Sequence, residues 1–534
     1  MKKEHEKRFL EFLSSPSSYN YNPGFIKVVQ THISMVAIAP PFVYKVKKNI
    51  KLDFLDYSSM EKRKYFLERE LELNRRLCSH VYLEIVPVYE FEGLLSFEKF
   101  FHATPHIFDY ALKMNYLEPQ YSLISLLQQR DFDYHKMDLL IRRLATFYKN
   151  KNLQKPTEEF SEHGKPAAIN QMFQKNLHEL LELSAGAASR RLLHTVSLFT
   201  DRFMEAHKTG FQSRSSMGFI KACHGDLRLE HIYIHDLDVC IYDCIEFNDD
   251  FRIIDIANDF AFLLMELDYA GYSAIASTLS RKFFSAMSDS TGNSLLVYYK
   301  IYRALVRAKV NWIVSRESEI PLNERNKAEE SAEKFTRLAL KYALANNEPV
   351  VFVIMGKTAS GKSTLAAKFS RDCCIPSFST DATRKRLANI HETTSTPQEI
   401  KSQVYSPEFT NQVYQTLLDD AQRELENKGA VLLDGTFSKK KYRDLVFQTF
   451  SPNRVLFIEV SAPEAEKKMR LKRRDVTGGV SDARLSDKKI IDSLYEPPDE
   501  LKASDRICIK SSQDAENIAD ELYDKIIRLN IKTR

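Results

Sequence analysis

The sequence predicts a two-domain chain of mixed class, α+β over its N-terminal part and parallel α/β at its C-terminal end, and three observations predict it. Beyond residue 350, Val350 to Met355, Val431 to Leu433, Val455 to Val460 and Arg506 to Ile509 are short apolar runs separated by helical periodicity. That alternation is the pattern of a parallel sheet with helices on both faces. Near the N-terminus, Phe25 to Val29, Ile33 to Ile38 and Phe42 to Val46 follow one another closely and read as a small antiparallel sheet. Between the two regions, the polar stretch Asn346-Asn347-Glu348-Pro349 marks a boundary, giving domains 1–345 and 346–534.

The elements follow in order. Ser14 to Pro23 is rich in Ser, Tyr, Asn and Pro and reads as a loop, so the fold is expected to start near Phe25. Ser58 to Leu77 is strongly charged with apolar residues at helical spacing, and Val81 to Leu95 returns to strand-like alternation. After Tyr110 the pattern is helical to about residue 215, most clearly over Met137 to Lys149 and Ile169 to Leu183. Two apolar runs, Ile232 to Ile234 and Val239 to Ile245, flank the turn His235 to Asp238; helices resume from Ile256 to about Ala345.

A length of 534 residues is too great for one core. With 77 basic and 72 acidic residues the formal charge is only +5, which argues against nucleic acid or a membrane surface as the main partner. The seven cysteines are scattered, without zinc-site or disulfide-framework spacing, so a reducing cytoplasm is the expected setting. No stretch has the length of uncharged apolar residues that a membrane span needs.

Gly356-Lys357-Thr358-Ala359-Ser360-Gly361-Lys362-Ser363, followed by Thr364, is a P-loop, lying between the apolar run Val350 to Met355 and a helix. Such a loop folds its backbone N–H groups around a β-phosphate while the helix presents its positive end. The expected ligand is ATP with Mg²⁺: Lys362 reaches the β- and γ-phosphates and the Ser363 hydroxyl holds the metal. Asp434 ends the apolar run Val431 to Leu433 and is either a second magnesium-site carboxylate or a turn cap. Asp381 follows the second strand of this domain and is either the group that accepts an acceptor's hydroxyl proton or a helix cap. Arg473, Arg474 and Arg484 flank Thr477-Gly478-Gly479, as a lid closing over phosphates or as a solvated helix face.

His224-Gly225-Asp226-Leu227-Arg228-Leu229-Glu230-His231, followed by Tyr242-Asp243-Cys244-Ile245-Glu246-Phe247, resembles the catalytic segment of aminoglycoside phosphotransferases and, more distantly, of protein kinases. The resemblance implies a bilobal protein-kinase-like fold, with a small lobe over about 25–110 and a large lobe over about 110–345. It implies Asp226 as catalytic base and Asp243 as the main magnesium ligand, with Glu246 assisting. His231 stands where that family has Asn, and imidazole is a poorer magnesium ligand than oxygen. Val43-Tyr44-Lys45-Val46-Lys47 looks like the strand whose lysine meets the α- and β-phosphates. Lys45 and Lys47 share a strand face, so alternation does not separate them; the apolar lead into Lys45 favours it. Glu70 is the expected partner on the next helix, with Glu68 and Glu72 beside it. Between the first two strands Gln30-Thr31-His32-Ile33-Ser34 holds no glycine, and Phe108 to Met114 is the expected hinge.

The order of both halves resembles a bacterial two-domain family, an aminoglycoside phosphotransferase-like domain fused to a P-loop ATPase or kinase domain. Phe54-Leu55-Asp56, Asp255-Ile256-Ala257-Asn258-Asp259 and Tyr405-Ser406-Pro407-Glu408 extend the likeness. It implies phosphate transfer from ATP to a small hydroxyl-bearing acceptor. Two other functions stay open at this point: a nucleotide-controlled regulatory ATPase on a kinase-shaped scaffold, and a nucleic-acid end kinase.

Overall fold

The computed structural model describes the chain except Met1 and residues 53–54, 101–103, 105, 154–157, 185, 347, 393, 478–481, 483, 486–492, 512–513 and 533–534. The side chains of 2–3, 158–159, 161, 474–477 and 532 are also outside the description. Phe54, Gly478, Gly479 and the Arg474 and Thr477 side chains therefore lie outside the described residues. By its contacts the chain forms two compact units. One comprises Met1–Lys165, Phe211–Glu266 and Leu279–Asn293; the other comprises Pro166–Gly210, Leu267–Thr278 and Ser294–Arg534.

The first unit is built on strands β1 (Lys27–Gln30), β2 (Ser34–Ala39) and β3 (Phe42–Lys47), then a short hairpin of β4 (Lys51–Leu52) and β5 (Leu55–Asp56). β6 (Tyr82–Phe91), β7 (Leu94–Ser96) and β8 (His106–Asn115) complete a six-stranded sheet of order β1-β2-β3-β8-β6-β7, antiparallel throughout. Alternation in β3 sends Tyr44 and Val46 to one face and Lys45 and Lys47 to the other. The apolar face is covered by a helix, Lys2–Ser14, whose Phe9, Phe12 and Leu13 are buried against Met35, Ala37, Tyr44 and Val46. The fold thus starts before Phe25: the apolar residues at i, i+3 and i+4 cover the sheet although the rest of that helix is charged. The opposite face receives the helix Met60–Cys78, capped by the Ser59 hydroxyl accepting from the Lys62 N–H.

Phe108 to Met114 lies inside β8: Leu112 to Met114 pair with both β3 and β6, while Asp109 to Ala111 pair with β6 alone. Further on, β10 (Ile232–His235) and β11 (Asp238–Ile241) form the expected hairpin, and β9 (Ile220–Ala222) pairs with β12 (Ile253–Asp255). Cys78 and Cys240 are joined as a disulfide with their Cα atoms 4.7 Å apart. This pairing corrects the expectation of unpaired thiols: it spans 162 residues of sequence, so no local spacing announces it.

In the second unit, β13 (Val350–Met355), β14 (Ser377–Ser379), β15 (Ala430–Asp434), β16 (Arg454–Ser461) and β17 (Arg506–Lys510) form a parallel sheet of order β14-β15-β13-β16-β17. All six residues of β13 are buried, as a central strand covered on both faces requires. Val351, Val353 and Met355 pack with Leu417, Leu418 and Val446 from the helices Pro407–Lys428 and Lys440–Phe450. Phe352 meets Phe369 on the helix Lys362–Cys373, which in turn meets Tyr523. The helices Ala187–Ala206 and Leu322–Ala345 belong to the same unit: Arg202 pairs with Asp524, and the Asn530 amide donates to the Ala343 and Leu344 carbonyls. Among the described residues no helix is long and apolar enough to cross a membrane.

Candidate active sites

In the first unit a single carboxylate organises the charged groups. Glu70 is fully buried, and its Oε1 accepts from the Lys45 ammonium at 2.6 Å while its Oε2 accepts from Lys47 at 2.7 Å. Lys45 also donates to Asp243 Oδ1 at 2.9 Å, and Lys47 to Glu246 Oε1 at 2.5 Å, where the Tyr57 hydroxyl donates as well. The two lysines that alternation left undivided therefore both reach Glu70, and differ in their second partner. Burial works against the Lys45 charge, yet the carboxylates of Asp243, Glu70 and Glu246 outweigh it and hold the ammonium well above the usual lysine range. Burial also opposes the Asp243 charge, but Lys45 and His231 keep that carboxyl well below its ordinary value. Glu246 is engaged by Lys47 and Tyr57 and not by Asp243, so it locks β3 to this loop.

Asp243 follows the β10–β11 hairpin in the left-handed region, at φ 63°, a conformation that Asp tolerates better than most residues. Its N–H donates to the Tyr82 hydroxyl, and the next N–H, of Cys244, donates to Asn74 Oδ1. The segment carrying Asp226 is held by Asp259, whose carboxylate accepts the N–H groups of His224 and Gly225 at 2.9 and 2.8 Å and the Tyr148 hydroxyl at 2.7 Å. Gly225 has φ 86°, and a Cβ there would lie 2.9 Å from the Phe251 carbonyl oxygen. Burial pushes the His224 imidazole down to about 4, so at neutral pH it is an uncharged strut. His231 sits between the two aspartates, with Nδ1 3.5 Å from Asp226 Oδ2 and Nε2 3.7 Å from Asp243 Oδ2. Nδ1 also lies 2.9 Å from the Asp226 carbonyl oxygen. Asp243 and His231 thus present two donor atoms that a divalent cation could share.

The β1–β2 turn closes on itself. Thr31 N–H donates to the Ser34 carbonyl at 2.9 Å, and Ser34 N–H returns to the Thr31 hydroxyl at 3.0 Å. A threonine side chain thus occupies the hydrogen-bonding role that a glycine-rich loop would leave to a phosphate.

In the second unit the P-loop runs from β13 into the helix Lys362–Cys373. Gly356 has φ 140°, and a Cβ there would lie 2.3 Å from the Val460 carbonyl oxygen; Ala359 and Gly361 also have positive φ. Lys362 is folded back, its ammonium donating to the Lys357 carbonyl at 2.9 Å. Thr358 and Ser360 are buried, and the Ser360 hydroxyl has no protein partner; Lys357, Ser363 and Thr364 are exposed. Asp434 ends β15 beside the loop: Ile354 of β13 is its register partner, and Gly435 N–H donates to the Ile354 carbonyl. Its Oδ1 is buried without a partner. Burial pushes the carboxyl up against the pull of Lys362 and a hydrogen bond from Ser363, and the charge of Asp381 adds to the rise. A buried, unpartnered carboxylate oxygen beside the Ser363 hydroxyl suits a magnesium-bound water.

Asp381 lies in the first turn of the helix Thr380–Leu387, which Ser379 precedes at the N-cap without a side-chain bond. β14 pairs Ser379 with Asp434, which brings Asp381 into the field of Asp434. Arg384 is committed elsewhere, donating to the Val404 carbonyl at 2.6 Å, while Lys385 holds the Glu392 carbonyl at 2.8 Å. Arg473 is exposed on the helix Glu464–Thr477, and Arg484 donates to the Ser395 hydroxyl. The arginine that touches the P-loop is Arg470, which donates to the carbonyls of Ala359 and Ser511. Sequence reading missed it; the available signal was its position four residues after Glu466, its ion-pair partner.

Residues 351–498 match the family model described as AAA domain. An uncharacterized protein of Mycobacterium tuberculosis is 28% identical over 420 residues, covering 78% of this chain and 80% of its own length, and one of Mycobacterium bovis is similar to the same extent. Among solved structures, a choline/ethanolamine kinase family protein from Mesorhizobium loti is similar over 63% of this chain and 95% of its own, at 13% identity and TM-score 0.37. A gluconokinase from Sinorhizobium meliloti is similar over 35% of this chain and 95% of its own, at 18% identity and TM-score 0.25. The chain is of mixed α/β class, with an antiparallel six-stranded sheet in its N-terminal region and a parallel-sheet P-loop domain at its C-terminal end.

Two outcomes follow from the geometry. Lys47→Met leaves Glu70 and Glu246 buried with one cation fewer, so stability to urea falls by about 3–5 kcal/mol. Lys45→Met costs less, because its partner Asp243 is 44% exposed; a Lys47→Met midpoint equal to wild type contradicts the network. Asp434→Asn removes a buried charge with an orphaned oxygen, so the melting temperature without nucleotide rises by the equivalent of about 1 kcal/mol. In the same variant the magnesium-dependent part of ATP stabilisation disappears, and a lower melting temperature without nucleotide would contradict this reading.

Proposed function

We propose that the chain is an ATP-dependent phosphotransferase with two ATP sites, one in a kinase-like domain over 1–345 and one in a P-loop domain over 346–534. Each transfers phosphate to a hydroxyl of a small molecule, and the setting is cytoplasmic. The observation that carries this reading is the convergence of Lys45, Glu70 and Asp243 on one charge network beside Asp226 and His231. Lys45 from a strand and Glu70 from a helix have no packing reason to meet beside the half-exposed Asp243.

In the first domain Asp226 accepts the proton of the acceptor hydroxyl, whose oxygen then bonds to the phosphorus as ADP departs. Lys45 positions the phosphates, Glu70 orients Lys45, and His231 with Asp243 would hold the metal. In the second domain the loop from Gly356 to Thr364 cradles the phosphates, Lys362 turns from the Lys357 carbonyl toward them, and Asp381 serves the acceptor. Ser363 and Asp434 would hold Mg²⁺, with Arg473 serving the phosphates. Bound Mg²⁺ supplies neutralisation of phosphate charge at both places.

One observation favours a second reading, a regulatory ATPase on a scaffold: the Thr31-closed turn leaves fewer free N–H groups for a phosphate. A nucleic-acid end kinase is disfavoured by the near-neutral charge of +5. The test is transfer from labelled ATP to a pool of sugars, polyols, nucleosides, aminoglycosides and oligonucleotides. Two labelled products are expected, one lost in Asp226→Ala and the other in Lys362→Ala. Free phosphate alone, abolished by Lys362→Ala, would overturn the two-kinase reading in favour of the ATPase.

A further inference from the structure

We propose that Cys78, His80 and Cys240 form a thiolate–imidazole site for a zinc-class cation when the cysteine pair is reduced, and that the disulfide and the metal exclude one another. One ligand atom from each residue lies within 4.8 Å of the other two. Tetrahedral zinc with Zn–S bonds of about 2.3 Å sets its sulfurs about 3.8 Å apart, so the metal fits after the S–S bond opens without the backbone moving far. Among the described residues this is the one group of three such ligands that stand together. Two thiolates and an imidazole select zinc over magnesium, which prefers oxygen.

The surroundings suit a structural metal. Both cysteines are fully buried among Leu67, Val81, Tyr82 and Leu112, which shields the sulfurs from water. His80 is half exposed, and its Nε2 lies 3.3 Å from Asp238 Oδ2. Asp238 stands two residues before Cys240 on β11 and therefore on the same strand face, so its carboxylate or a water closes the fourth position. The disulfide and the metal each fasten the end of the helix Met60–Cys78 to β11. That helix carries Glu70, and Asp243 lies three residues after Cys240, just beyond β11. Reduction without metal releases this fastening, while other ties of the helix stay, among them Asn74 to the Cys244 N–H and Arg76 to the Ala222 and Cys223 carbonyls.

The exchange is balanced by a low-molecular-weight disulfide as oxidant. One metal-bound thiolate attacks it and releases a thiolate; the second cysteine thiolate attacks the mixed disulfide and releases another. The cysteines lose two electrons to the oxidant, and Zn²⁺ leaves as its two sulfur ligands disappear.

The proposal stands apart from the phosphotransfer reading and needs no activity assay. The full-length chain is reduced with a phosphine, freed of oxygen and excess reductant, and titrated with zinc against a chromophoric chelator, then with cobalt. One zinc per chain is expected at this site, with a thiolate-to-cobalt charge-transfer band; both vanish in Cys240→Ser and after oxidation by a small disulfide. His80→Ala alters an exposed residue, leaves the fold intact and weakens zinc at least about ten-fold. A reduced wild type that binds zinc no more tightly than Cys240→Ser overturns the site, as does a cobalt complex without the thiolate band or a His80→Ala variant with unchanged affinity.

Discussion

The first unit depends on one buried carboxylate. Glu70 has no exposed surface, and an unpaired charge there would be untenable, so two lysines on alternate positions of β3 are drawn onto it. Their second partners then join the strand to the loop after the β10–β11 hairpin: Lys45 through Asp243 and Lys47 through Glu246. The outcome is a pair of parallel ion-pair chains. One is sealed and structural, and the other ends on the half-exposed Asp243, where chemistry is possible. Asp259 likewise holds the backbone of His224 and Gly225 and accepts the Tyr148 hydroxyl, while the Asp226 side chain keeps 26% of its surface exposed.

The P-loop unit rests on a different constraint, backbone shape. Gly356 adopts φ 140° against the Val460 carbonyl, Arg470 and Ser511 brace the outer backbone of the loop, and the parallel register sets Asp434 level with Ile354. Among the described residues, the Ser360 hydroxyl and Asp434 Oδ1 are buried without a protein partner. Buried polar atoms without a protein partner are expected where a ligand completes the bonding.

Much of this was legible in the sequence because the signals are local. The strands from Phe25 to Val46, the helix from Ser58, the continuous apolar run of β13 and the P-loop each declare themselves within a dozen residues, and Lys45, Glu70, Asp226 and Asp243 were reached through a motif. The misses share a cause. The helix Lys2–Ser14 hides three apolar residues among charges. Tyr57, Arg470 and the Cys78–Cys240 bond act across distances of 41 to 189 residues in sequence, and no spacing rule reaches that far.

The central claim is that both halves bind ATP. Equilibrium dialysis of the full-length chain against labelled ATP with Mg²⁺ measures it directly. The account predicts two ATP per chain, with Lys362→Ala retaining one and Lys45→Met retaining the other; a single ATP per chain, lost in Lys362→Ala and untouched by Lys45→Met, would contradict it.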